Sequence, residues 1–397
     1  MAAGSGRSGA TVADCAALCD RLWPKERAES WDNVGLLEGD PAIAVRRCLC
    51  ALDADQVTVA AAVAVGAQLL VAHHPLPWRP LTRLIATEPA QAALLAAARG
   101  GVAVYAAHTN FDVDPAGTSR ALADALGLQA PQVLRVSGRA VLYKLVVFVP
   151  RDQAPDLRDA LDRAGAGRLG RYSACSFTGV GVGRFRPETG AHPTIGQPGE
   201  LAEVTEERLE VLVPAEARPA VLAAMRAAHP YEEPAYDLLQ LDNGGAAYGL
   251  GMVGLAAPAM GLATFAAFVA DRLQAPATRF VGDAGRVVRR VAVCGGAGME
   301  CAAAALAAGA DALVTADIRY HEAREAEARG LALVDPGHQA TEVPGVAALA
   351  EQLRSATRQA GWDVDVRVEA SRADVWHRTD LGDRAREGGG RMSGSHD

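Results

Sequence analysis

The chain predicts an α/β protein in which two similar α/β halves form one domain, interrupted by a ferredoxin-like β-α-β-β-α-β insertion. Three observations point there. Apolar, strand-like runs alternate with helical segments from residue 48 to about residue 118. The same rhythm returns after about Gly261. Between the two, from near Ser137, strands are arranged around only two helices. The resulting division gives a first α/β part at 11–138, an insertion at 139–242, a second α/β part at 243–380 and a polar, Gly-rich, disordered tail at 384–397.

Taken in order, residues 11–22 read as a capped helix stopped by Pro24. The loop Trp31-Asp32-Asn33-Val34-Gly35-Leu36-Leu37 follows. Residues 48–52 are a strand, 57–65 a helix, and 68–72 a buried strand that runs into His73-His74-Pro75. Residues 91–98 are helical, 102–107 a strand opening into His108-Thr109-Asn110-Phe111-Asp112, and a helix starts near Thr118. Such alternation implies a largely parallel sheet. In the insertion, strands at 143–149, 174–182, 208–213 and 235–241 enclose helices at 156–163 and 217–228, with a loop around 187–198. The break Asn243-Gly244-Gly245 returns the chain to the first style. Strands then fall at 288–293, 311–315, 331–334 and 364–368, with helices at 299–308, 320–329 and 346–359.

Composition narrows the function classes. With 397 residues, half of them hydrophobic, the chain can bury two or three cores. A formal net charge of −8 with no basic run argues against a nucleic-acid partner. Lys25 and Lys144 are the only lysines, a bias read as GC-rich codon usage. Met1–Ala10 is small and polar, unlike a signal peptide, and charges break every Ala-rich stretch below membrane length. The seven cysteines are scattered without a CxxC pair, which suits buried reduced thiols and a cytoplasmic location.

The chemistry concentrates at strand ends, where α/β proteins bind ligands. His73, His74, Asp112, His338 and Glu342 supply three imidazoles and two carboxylates. Adjacent histidines on an extended chain point to opposite sides, so two metals side by side could take one each. His338 and Glu342, four apart, would share a helical face. Either Glu342 or Asp112 could bridge two ions. Each also has a bland reading: a structural His pair, an N-cap at Asp112 for the next helix, a helix-entry decoration at His338. The mixed N/O set suits Zn, Fe, Mn, Co or Ni. Two such ions against two carboxylates would leave about two positive charges, draw an anion, and lower the pKa of a bound water towards roughly 7. Hydrolysis is the reaction class this favours.

Further candidates are His108, His321 and Asp317 for proton transfer or for structural hydrogen bonds, and Trp31-Asp32-Asn33 for lining the pocket or fixing a loop. The run Cys294-Gly295-Gly296-Ala297-Gly298 fits close strand-on-helix packing or a phosphate cradle. His229-Pro230-Tyr231-Glu232-Glu233-Pro234 reads as a rigid turn or a small-molecule rim.

These motifs together resemble the GTP cyclohydrolase 1 type 2 homologue family, also called the NGG-interacting-factor-three-like dinuclear metal centre hexameric proteins. The resemblance runs from about Val12 to Val375. It rests on Trp31-Asp32-Asn33-Val34-Gly35, His73-His74-Pro75, Thr109-Asn110-Phe111-Asp112, Val293-Cys294-Gly295-Gly296-Ala297-Gly298, Thr315-Ala316-Asp317 with His321, and Gly337-His338 with Thr341-Glu342. It implies metal ligands at His73, His74, Asp112, His338 and Glu342, two divalent ions per subunit, and a toroidal homohexamer with its metal sites facing an internal cavity. The insertion resembles the PII/CutA-like domain of longer bacterial members. The expected function is a dinuclear metal-dependent hydrolase of a purine nucleotide, with no nucleic-acid or membrane partner. The alternative is a metal-binding, metal-delivery or regulatory protein without turnover.

Overall fold

The computed structural model describes residues 9–79, 81–369 and 374–376. The expected tail at 384–397 and residues 1–8 of the polar start lie outside the described residues. The protein is a mixed α/β molecule that divides into two compact units, Met1–Arg135 with Gly249–Asp397, and Val136–Tyr248.

The first unit carries a five-stranded sheet in the order Asp365–Val368, Arg47–Ala51, Leu69–Ala72, Ala103–Ala106, Gly35–Glu38. The first four are parallel, and Gly35–Glu38 pairs antiparallel at the edge. Leu69–Ala72 and Ala103–Ala106 are buried at every position, as parallel strands covered on both faces must be. Cys48, Cys50, Leu69, Val71 and Tyr105 face the helix Val12–Leu22 and residues Val346, Leu349 and Leu353 of the helix His338–Gln359. The alternate residues Leu49, Leu70 and Val104 face Val59 and Ala62 of helix Gln56–Ala64 and Ala93 and Ala97 of helix Pro89–Gly100. Small alanines let these helices lie close to the sheet.

The helix His338–Gln359 starts eight residues before the expected 346, running through Pro344. Proline lacks an N–H and crowds the carbonyl four residues back, so the sequence pattern stops there while the helix does not. Its N-terminal turns hold His338 and Glu342, and its C-terminal half is core to the five-stranded sheet.

A six-stranded sheet has the order Arg279–Val281, Ala332–Asp335, Ala312–Val314, Val287–Val293, Ala247–Gly261, Gln129–Arg139. Only the middle three are joined by parallel pairings. Arg279–Val281 and Ala247–Gly261 pair antiparallel with their neighbours, so this sheet is mixed and not largely parallel. The added strands are short, or rich in glycine and proline, and carry no readable alternation.

In Val136–Tyr248 an antiparallel sheet runs in the order Tyr236–Gln240, Leu142–Pro150, Ala202–Pro214, Ser176–Phe185. Leu157 and Leu161 of helix Ala154–Arg163, with Val221 and Met225 of helix Arg218–Ala228, pack on its Leu145, Val147, Leu209 and Val211.

Candidate metal centre

His73 and His74 follow the strand Leu69–Ala72 directly, their N–H groups donating to the Ala51 and Leu52 carbonyls at 3.0 and 2.8 Å. The expectation that they point to opposite sides does not hold. The chain leaves strand conformation after Ala72, and the two rings lie 5.1 Å apart. Both reach one carboxylate: His73 Nε2 is 3.8 Å from Glu342 Oε1, and His74 Nε2 is 3.0 Å from Glu342 Oε2. His338, first residue of its helix, brings its Nε2 to 3.1 Å from the same Oε2. Asp112 Oδ1 lies 3.5 Å from His73 Nε2. Asp112 is not an N-cap: it ends the short helix Thr109–Asp112, and Gly117 caps the next one.

Each imidazole is fixed through its other nitrogen. His73 Nδ1 is 2.9 Å from the Ala107 carbonyl, which can only accept, so Nδ1 carries a hydrogen, and in the neutral ring Nε2 is the nitrogen with the lone pair. His74 Nδ1 donates to Asp53 at 2.9 Å and His338 Nδ1 to Asp317 at 2.8 Å. His108 Nδ1 donates to Asp32 Oδ1 at 2.9 Å. Second partners of this kind orient metal-binding histidines and raise their basicity.

The donor atoms fit a metal better than they fit one another. Glu342 is 4 % exposed, yet its Oε2, at hydrogen-bond distance from two imidazoles, has no hydrogen bond of acceptable geometry. His73 Nε2 is buried and equally unpartnered. Leaving such groups buried without partners is costly, and a cation would satisfy them together. Gly296 completes the cradle: a Cβ there would meet Glu342 Oε1 at 2.3 Å and His338 Nε2 at 3.2 Å. Among the described residues, the ligand atoms of His74, His338 and Glu342, and those of His73, His74 and His108, lie within 4.8 Å of one another. Buried His and Glu groups here could thus hold metal ions.

Protons report the same field. Burial opposes charge on His73, but Asp112 and Glu342 outweigh it and raise its pKa to about 9. Glu342 raises His338 to about 9 against partial burial, with Asp317 helping. Burial pushes Glu342 up, yet the surrounding imidazoles hold its carboxyl well below the usual range. Burial and then Glu342 raise Asp112, against the pull of His73.

The other candidates sort plainly. Asp317 sits in the left-handed region at φ 54° and anchors His338, a strained position at a functional site. His321 is exposed with its ring against Tyr320 and joins neither donor group. The glycine run packs closely: Cβ atoms at Gly295 and Gly298 would meet Thr118 at 2.6 Å and Cys294 at 2.4 Å. The His229 segment is a held turn, with Nε2 donating to the Phe148 carbonyl, Nδ1 accepting from the Tyr231 N–H, and the Tyr231 hydroxyl on Glu206. It borders a cleft of about 1180 Å³ within the second unit, which contains none of the converging imidazoles. Six of the seven cysteines are buried and none is paired. Sequence reasoning missed Asp53. The signal for Asp53 was a carboxylate two residues past a strand parallel to the His-bearing one.

A family model for Duf34/NIF3 (NGG1p interacting factor 3) matches residues 10–374. The chain belongs to this family. It is 42% identical over 370 residues to the GTP cyclohydrolase 1 type 2 homolog of Mycobacterium tuberculosis, covering 92% of this chain and 96% of that one. To the protein of the same name from Halalkalibacterium halodurans it is 42% identical over 327 residues, 82% of this chain and 88% of that one. The crystal structure of a Bacillus cereus protein related to NIF3 superposes with a TM-score of 0.85 at 36% identity, covering 94% of this chain and all of that one. This chain therefore shares its mixed α/β fold with a structure related to NIF3.

Proposed function

We propose that the chain holds two divalent metal ions and hydrolyses a purine nucleotide, with GTP ring opening the named possibility. The observation that carries this reading is the meeting of three imidazole Nε2 atoms on a buried Glu342 whose Oε2 lacks a hydrogen bond. Glu342 would span the ions, His73 and Asp112 would serve one, and His74 with His338 the other. Bound there, the ions would supply positive charge for an anionic substrate and acidify water towards roughly neutral pKa. His108, backed by Asp32, would move the proton, since its Nε2 is left free by the Asp32 hydrogen bond. Asp317 would orient His338, and His321 falls outside the chemistry. The printed name of the relatives, GTP cyclohydrolase 1 type 2 homolog, supports the substrate class.

The proposal extends to form and place. The Val136–Tyr248 unit reads as a ferredoxin-like insertion, supported by its β-α-β-β-α-β order and by a spatial strand order of fourth, first, third, second. The flanking α/β segments read as two halves of one domain. A toroidal homohexamer is part of the same proposal, to be checked by light scattering. No helix among the described residues is long and apolar enough to cross a membrane, and the buried thiols fit the cytoplasm.

Turnover decides between this and the metal-binding or metal-delivery reading. Protein loaded with Zn, Fe, Mn, Co or Ni in turn should release formate from GTP with at least one metal. If none does so, while Glu342→Ala loses its metal, the chain is a binding or delivery protein.

A further inference from the structure

We propose that Trp31 and Trp78 form a base-stacking rim beside the metal centre, so that this site recognises a flat heterocycle and not a phosphate group alone. The inference rests on the nucleotide reading above and names the residues that would give it. The chain has only five tryptophans, and two of them border one histidine. The Trp31 ring lies 6.0 Å from His108 at 71°, and the Trp78 ring 5.0 Å from it at 85°. Trp78 also lies 6.0 Å from His74. A near-perpendicular contact covers at most one face of an indole. Consistently, Trp31 is 60% and Trp78 52% exposed, which forgoes much of the burial energy a Trp can give.

Both rings ride on segments fixed to the same histidine. Asn33 Nδ2 donates to the Pro77 carbonyl at 2.7 Å, tying the Trp31 loop to the segment that carries Trp78. Asp32, next to Trp31, accepts from the Asn33 N–H at 2.8 Å, from His108 Nδ1 at 2.9 Å and from the Thr109 N–H at 3.0 Å. A platform held this way loses little freedom when a ring stacks on it. Stacking tolerates any base, because every base has a π-face. The rim thus sets the class of substrate, a nucleobase joined to an anion, and leaves the choice of base to other groups.

The test uses full-length, metal-loaded protein. Binding of GTP, and of inorganic triphosphate as a base-free probe, is measured by equilibrium dialysis, with metal content and molecular mass in parallel. GTP should bind at least ten-fold tighter than triphosphate. Trp78→Ala should weaken GTP binding by roughly ten-fold and Trp31→Ala by somewhat less, within the range for base–aromatic stacking. Triphosphate binding and metal content should stay unchanged, and Trp78→Phe should restore most of the loss. Equal binding of GTP and triphosphate, no GTP binding, or no effect of either variant would overturn the rim. So would variants that change only the molecular mass, which would make these rings a contact between copies. Base-dependent binding that persists without formate release would keep the rim and remove the hydrolase reading.

Discussion

At Gly296 the backbone takes φ +61°, and any side chain would press on Glu342 and His338. Gly296→Ala should therefore weaken metal binding in a chelator competition and destabilise the protein by about 1–3 kcal/mol, the usual cost of a strained position. Removing the carboxylate behind His338 acts more gently. Asp317→Ala should lower metal affinity roughly 10- to 100-fold in the same competition and leave the fold intact by circular dichroism. Asp32 gives a pH signature. Burial pushes its carboxyl up, but His108 and Thr109 outweigh this and hold it at about 2, against about 3.9 in an unfolded chain. Its stabilising effect is thus present above about pH 4 and lost as pH falls through 2. In urea denaturation, Asp32→Asn should be less stable than the parent at pH 6, and the two should converge near pH 2. A constant gap would contradict this role. His73 and His74 were legible as candidates because they follow an apolar run directly, and His338 with Glu342 because they are four apart. Asp53 was not, since a carboxylate two residues past a strand, followed by the N-cap Asp55, looks like ordinary turn chemistry.

The helix His338–Gln359 shows what a local pattern can hide. His338 and Glu342 were readable as one face, but Pro344 between them and the apolar stretch masks the continuity. The cost of a proline in a helix interior is met here by the packing of Val346, Leu349 and Leu353 against the five-stranded sheet. Leu353 is 1% exposed, so Leu353→Ala should destabilise the protein by about 2–5 kcal/mol in thermal or urea unfolding. Because the same helix carries His338 and Glu342, a metal bound there should stabilise parent and variant alike, by an amount that rises with the logarithm of the free metal concentration. The strands Gln129–Arg139, Ala247–Gly261 and Arg279–Val281 were not legible at all. Their pairing depends on partners far along the chain, and glycine, proline and short length leave no period to read.

Over the whole molecule, all five candidate ligands lie in the unit formed by Met1–Arg135 and Gly249–Asp397. A chain lacking residues 139–242 should bind metal with the parent's stoichiometry, measured by elemental analysis, and loss of metal would show that the second unit supports the site. The final strand, Asp365–Val368, pairs in parallel with Arg47–Ala51, so the last described strand belongs to the first sheet. Sequence shows that His73 and His338 are both metal-type residues, but not that the first turns of the helix His338–Gln359 bring Glu342 to both of them. That meeting is a property of packing between distant segments, and packing has no local signature.

The central claim is that His73, His74, Asp112, His338 and Glu342 hold two metal ions on a shared Glu342. Elemental analysis of protein purified without chelator and reconstituted with Zn or Fe tests it most directly, alongside Glu342→Ala. The account predicts two ions per chain in the parent and fewer than one in the variant. One ion or none in the reconstituted parent, or two retained by Glu342→Ala, would contradict it.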